Sequence, residues 1–315
     1  MSISRRQFLE ATALSGAAAS SLTGAPAAIP TRVLGRTGQR VTILAFGSGS
    51  RYLMYKDDQA VEVLNRALDL GINYVDSAQT YGNGRSEQLV GRVMATRRQQ
   101  VFLATKITVR EAEAAMREVE RSLQRLQTDH LDLLHIHSLS GEKDLARIEA
   151  PDGLLKLLYK LRDQKVTRFI GVTCHTQAAT LKTALERHDF DCTQMALNAA
   201  LMGSGGEKFT REDSLEAVAL QVASRKKLGI IAMKVFAQDR IPGGPPAEQL
   251  IRYAMSLPVT AVVIGMPKPE HLEQNVQVAL DFQPMPPDEM RRLSDRLSAA
   301  HKAALDRYFA HHVDA

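Results

Sequence analysis

The chain has 315 residues, 44% of them hydrophobic and 24% charged, with a formal net charge of +5. That length fits one barrel-sized domain without forcing two. Lys and Arg are scattered, with no run longer than Arg225-Lys226-Lys227. The basic balance therefore points to an anionic small ligand and away from nucleic acid, whose binders concentrate cations on one element. No apolar run approaches the roughly 20 residues of a membrane span.

The first residues read differently from the rest. Ser4-Arg5-Arg6-Gln7-Phe8-Leu9 opens a segment that continues through a mildly apolar stretch, Ala11 to Leu22, to the small residues Ala25-Pro26-Ala27. This pattern resembles a twin-arginine export signal. The resemblance implies a signal peptide over 1–27, the twin-arginine translocase as a transient partner, and a periplasmic or exported product with no stable membrane insertion after cleavage. The alternative is an unstructured basic N-terminus without a role.

Beyond the leader, 31–42 reads as a short hairpin turning at Thr37-Gly38. Short apolar runs then recur at Val41–Phe46, Ile72–Val75, Val101–Ala104, Leu131–Ile136, Phe169–Val172, Thr193–Leu197, Gly229–Met233 and Ala261–Ile264. Their nearly continuous apolar character suits strands buried on both faces of a parallel sheet. Helical periods separate them. Val61, Leu64, Ala67 and Leu68 share one face, with Asp57 or Asp58 as N-cap and Gly71 as the stop. Ala115/Val119/Leu123/Leu126, Leu154/Leu157/Leu158/Leu161, Leu181/Ala184/Leu185, Leu215/Val218/Ala219/Val222, Leu250/Ile251/Ala254 and Leu272/Val276/Ala279 repeat the pattern. About eight strand–helix units of roughly 30 residues predict a (β/α)₈ TIM barrel over 31–283. A C-terminal helical extension over 284–315 follows, its helix read from Arg291 to Phe309. A doubly wound sheet would carry a Gly-rich phosphate turn after its first strand. Gly47-Ser48-Gly49-Ser50 instead leads into the bulky Arg51-Tyr52-Leu53-Met54-Tyr55.

Three successive strands end in an ionisable residue: Asp76, Lys106 and His137. In a barrel the C-terminal strand ends surround one site, and burying Asp76 and Lys106 is tolerable only as a pair. Tyr81 lies five residues after Asp76, in the loop over the same mouth. A free phenol has a pKa of about 10; a neighbouring ammonium stabilises its phenolate and makes it a better acid. Lys106 can supply that charge, Asp76 can hold Lys106, and His137 can orient a substrate oxygen. The set suits protonation of a carbonyl oxygen as negative charge develops on it.

Asp76-x₄-Tyr81-Gly, Ala-Thr-Lys106 and Leu-Asp-Leu-x-x-x-His137 resemble, in order and spacing, the Asp-Tyr-Lys-His tetrad of the aldo-keto reductase superfamily. The resemblance covers nearly all of 31–283, the N-terminal hairpin included. It implies reduction of an aldehyde or ketone, with Tyr81 as general acid, Lys106 and Asp76 tuning it and His137 orienting the carbonyl. It also implies NADPH, with NADH the alternative, bound extended across the barrel mouth. By the same resemblance Thr173, His175 and Gln194 face the nicotinamide amide, and Asn198 follows at a family-like spacing. Met233 replaces a stacking aromatic, and Lys234 faces the pyrophosphate. The segment Gly265 to Asn275 surrounds the adenosine phosphate, with Lys268, His271 and Asn275 as contacts.

Two other functions remain open in the residues. His135 and His137 point to the same side of a strand, a spacing also used by metal-dependent barrel hydrolases. A non-catalytic nicotinamide-binding barrel would keep the tetrad without turnover. Tyr52, Met54, Tyr55 and the 139–149 loop are candidates for the substrate pocket. The chain is read as a monomer. Cys174 and Cys192 fall at opposite ends of adjacent parallel strands, too far apart to bridge, which predicts two free thiols.

Overall fold

The computed structural model describes residues 28–202 and 210–309; the twin-arginine segment lies outside them. Strands β1 (Thr31–Val33) and β2 (Arg40–Thr42) form an antiparallel hairpin. Its turn carries Gly38 at φ 72° and Gly35 at φ 51°. Gly35 must be glycine for a second reason: a Cβ there would sit 2.2 Å from the backbone nitrogen of Gly229. The hairpin thus abuts the chain just before a barrel strand, with Arg36 N donating to Lys227 O at 2.8 Å. Leu34 and Val41 are buried in the barrel-interior cluster, so the hairpin closes the floor.

The barrel is closed and parallel. Its strands are β3 (Leu44–Gly47), β4 (Tyr74–Asp76), β5 (Phe102–Ile107), β6 (Leu131–Ile136), β7 (Thr167–Cys174), β8 (Cys192–Ala196), β9 (Gly229–Met233) and β10 (Ala261–Ile264), with β10 pairing both β9 and β3. Helices α1 (Asp57–Asp69), α2 (Arg85–Arg97), α3 (Ala112–Leu126), α4 (Glu142–Glu149), α5 (Leu154–Asp163), α6 (Ala178–Arg187), α7 (Ala219–Arg225), α8 (Ala247–Ser256) and α9 (Pro269–Leu280) accompany the strands, and α10 (Pro287–Phe309) follows them. The (β/α)₈ reading from periodicity is borne out. Alternate residues of each strand fill the interior or face the helices. Ala45, Tyr74, Phe102, Ala104, Leu133 and Ile231 belong to the interior cluster, while Leu44, Val75, Leu103 and Leu134 join the larger cluster under the helices. Burying each such Leu or Val fully contributes about 1.5–3 kcal/mol.

Four boundaries differ from the pattern-based expectation. The run Val41–Phe46 is divided between β2 and β3: Thr42 still pairs with Thr31 in the hairpin while its N–H donates to Asn73 Oδ1 at 2.8 Å, and the barrel strand begins only at Leu44. Neither Asp57 nor Asp58 caps α1. Lys56 is the N-cap, and both carboxylates sit in the first turn, where they favour the helix dipole and reach Arg85 and Arg92 of α2. The period at Leu215 and Val218 precedes α7, which begins only at Ala219. Helix α10 begins at Pro287, four residues before the expected start; proline suits a helix's first turn because its missing N–H has no partner there.

Candidate active site

A cavity of about 710 Å³ opens at the C-terminal ends of the strands. Asp76 ends β4 and Lys106 lies near the end of β5; both point into the barrel and are buried. Lys106 Nζ donates to Asp76 Oδ2 at 2.5 Å, to Ser77 O at 2.7 Å and to Tyr81 Oη at 3.3 Å. An ammonium has three donors, and these contacts use them all. Nζ is also 4.9 Å from the Tyr81 ring centroid. The His137 ring meets Tyr81 edge-on, with centroids 5.9 Å apart. The structure thus brings Asp76, Tyr81, Lys106 and His137, the four positions singled out by the sequence motifs, together at one barrel mouth.

The loop carrying Tyr81 is fixed by backbone chemistry that its glycines permit. Gly82, Asn83 and Gly84 are all left-handed, at φ 56°, 51° and 89°. A Cβ on Gly84 would sit 2.5 Å from the Arg125 guanidinium carbon. On the other side, a Cβ on Gly49 would already touch the Tyr81 ring at 3.4 Å. Beneath the loop, Glu87 accepts from Thr105 Oγ1 at 2.7 Å and pairs with Arg125 at 3.3 Å. Burial is the largest influence on Glu87 and raises its pKa. Ser86 Oγ donates to Ser48 O at 2.7 Å, tying α2 to the turn after β3. Arg110 Nη2 donates to His137 O at 2.8 Å and fixes the end of β6.

Asp76, Tyr81, Gln194, Met233, Lys234 and Gly265 line the cavity, joined by His271 and Asn275 from the first turns of α9. Gln194 Nε2 lies 3.4 Å from Asp76 Oδ2, while its buried Oε1 has no partner among the described residues. The other predicted positions stand back from the wall. Thr173 Oγ1 accepts the Ser138 N–H at 2.7 Å, and His175 Nδ1 lies 3.3 Å from Ser138 Oγ. Lys268 is the exposed N-cap of α9. Asn198 braces the loop after β9 by donating to Lys234 O at 3.1 Å.

The expected pocket residues are corrected. Tyr52 is fully buried, its ring edge-on to Phe46 at 5.3 Å, because a 3₁₀ turn folds it back into the core. Tyr55 is also buried, and Met54 is 64% exposed to solvent. The 139–149 segment is no open loop: α4 occupies most of it and buries Leu145 and Ile148. Arg51, Gln238, Asp239, Arg240 and Tyr308 also line the cavity. Nothing in their spacing marked them, since three elements distant in sequence bring them together.

His135 lies between Lys106 and Gly171 in the strand register. Gly171 makes room for it, since a Cβ there would be 2.5 Å from its Nδ1. Burial first, then Lys106 and His137, hold the His135 imidazole well below the usual histidine pKa. Among the described residues, no three His, Cys, Asp or Glu side chains form a group able to hold a metal. Cys174 and Cys192 are both buried and free, as predicted.

A closed parallel barrel with its cavity at the C-terminal strand ends places the protein in the class of TIM-barrel enzymes. A sequence profile of the aldo/keto reductase family matches residues 44–244, and the chain belongs to that family of enzymes. It is 34% identical over 158 residues to an L-galactose dehydrogenase from Arabidopsis thaliana, a match covering 46% of this chain and 48% of that protein. The chain thus spans about half the length of that relative. It is 26% identical to a pyridoxal 4-dehydrogenase from Microbacterium luteolum, over 82% of this chain and 94% of that one. An aldo-keto reductase from Klebsiella pneumoniae, solved with NADPH, shares the fold at a TM-score of 0.68 and 23% identity, covering 85% of this chain and 95% of that chain.

Proposed function

We propose that the protein reduces an aldehyde or ketone, with NADPH as the reductant and Tyr81 as the proton donor. One observation carries the reading: Lys106 Nζ bridges Asp76 Oδ2 and the Tyr81 hydroxyl beside the cavity. The residues present fit a nicotinamide dinucleotide. The buried, unpartnered Gln194 Oε1 suits an amide N–H donor. Arg51 and Lys234 offer cations to a pyrophosphate, and His271 and Asn275 line the same cavity. When bound, the dinucleotide supplies the hydride.

Tyr81 holds its proton towards the cavity and releases it to the substrate oxygen. Lys106 donates a hydrogen bond to the oxygen left behind and stabilises its charge, while Asp76 and Ser77 O keep the ammonium in place. His137 orients the carbonyl. Such general acid catalysis is worth about 10²–10⁴-fold. The test is to record absorbance and fluorescence of the purified protein for co-purified nicotinamide, then to titrate NADPH and NADH against it. Saturable binding, tighter for NADPH, is expected; binding of neither nucleotide contradicts the reading. Tight binding without turnover across a broad carbonyl panel would favour the non-catalytic barrel. The Ser4–Leu9 pattern supports export through the twin-arginine translocase, in a folded state with nucleotide already in place.

A further inference from the structure

We infer that the end of the C-terminal helix α10 is part of the nucleotide site, and that Tyr308 stacked on Arg240 sets how long the nucleotide is held. The inference rests on the reading of the cavity as a dinucleotide site. Tyr308 and Arg240 both line that cavity. The Arg240 guanidinium lies 3.8 Å from the centroid of the Tyr308 ring, well within the range of a cation–π contact. The Tyr308 hydroxyl is 3.4 Å from Gln238 Oε1. One residue on, Phe309 is buried and lies 5.9 Å from Lys234 Nζ. The last turn of α10 therefore grips both ends of the 234–240 segment that leaves β9.

That segment lines the cavity. Asp239 pairs with Arg51, which comes from the turn after β3 and lines the same space. Arg51 Nη2 also donates to Gln238 O at 3.4 Å. The strap is strained: Lys234, Ala237, Gln238 and Asp239 sit at φ 58°, 46°, 54° and 62°, and none is glycine. Such conformations persist only where surrounding contacts over-determine them. Here those contacts are the Arg51 ion pair on one side and α10 on the other. Leu293, Leu297, Leu305 and Phe309 anchor α10 to the body of the protein. Tyr308 is 39% exposed, so its ring can be removed without opening the core. With the ring gone, Arg240 loses its stack and Gln238 its contact with the Tyr308 hydroxyl, and the strap relaxes from one side.

The experiment measures the NADPH dissociation rate of the full chain by stopped-flow fluorescence, displacing bound NADPH with excess NADP⁺. Tyr308→Ala and Arg240→Ala are each expected to accelerate release by about 3–30-fold, the range for one cation–π contact. The double variant should release little faster than either single one, because the two act as a unit. Tyr308→Phe keeps the ring and should remain within about threefold of wild type. The contact also exists without nucleotide, so unfolding midpoints should fall by no more than about 2–4 °C in any of the four variants, which shows that the fold is retained. Wild-type release rates in Tyr308→Ala and Arg240→Ala would overturn the inference while leaving the proposed function standing. A wild type that binds neither NADPH nor NADH overturns both.

Discussion

Lys106 and Asp76 form an ion pair at 2.5 Å with the ammonium fully buried and the carboxylate nearly so. Neither charge could be placed there alone, so each makes the other's burial tolerable. Lys106→Met should therefore destabilise the fold by about 3–5 kcal/mol, because it strands the Asp76 carboxylate. The double variant Lys106→Met/Asp76→Leu should recover a substantial part of that loss. Urea unfolding of the three proteins checks this. Equal stability of Lys106→Met and wild type would show that the carboxylate is not buried as a charge.

His135 gives a pH dependence of definite sign. Its folded-state pKa is depressed, by burial and then by Lys106 and His137. Its neutral burial therefore contributes stability fully present above the unfolded pKa of about 6.5. That stability is lost as pH falls through and below that value, at about 1.4 kcal/mol per pH unit. The difference in unfolding free energy between wild type and His135→Gln, followed from pH 7.5 to 5, should shift against the wild type on acidification. Parallel profiles would contradict it.

The two cysteines should stay reduced and slow to react. Gly171 pairs with Cys192 across the β7–β8 ladder, whereas Cys174 pairs with Met195. The two thiols are thus about 10 Å apart along the strands, beyond the roughly 7 Å that a disulfide spans. Burial raises the Cys174 pKa to about 11 and pushes Cys192 well above its ordinary value. Titration with a thiol reagent should find no fast group in the native protein and two after denaturation. An intramolecular bridge by mass spectrometry would contradict the strand register.

Export is tested by changing Arg5 and Arg6 together to Lys in the full-length chain. The periplasmic fraction should disappear while folded protein accumulates in the cytoplasm. Unchanged distribution on cell fractionation would remove the twin-arginine reading.

The barrel and the tetrad were legible because both follow from local pattern. Strands buried on both faces read as apolar runs, and residues ending successive strands must share a mouth. Asp76, Lys106 and His137 needed no more than that, and Tyr81 needed only the loop after β4. The divided run at Val41–Phe46 was illegible because a distant side chain, Asn73, takes the Thr42 N–H. Tyr52 misled because its aromatic character suits a pocket as well as a core, and only the turn at Tyr52–Met54 decides between them. Arg51, Arg240 and Tyr308 carry no mutual spacing in sequence. They meet only because a strap and a terminal helix converge over the cavity.

The most direct test of the account is Tyr81→Phe, which removes one hydroxyl and leaves the Lys106–Asp76 pair in place. NADPH affinity, by fluorescence titration, should stay within about twofold of wild type, while turnover on every carbonyl the wild type reduces should fall by about 10²–10⁴-fold. Near-full activity in Tyr81→Phe would contradict the assignment of Tyr81 as the proton donor.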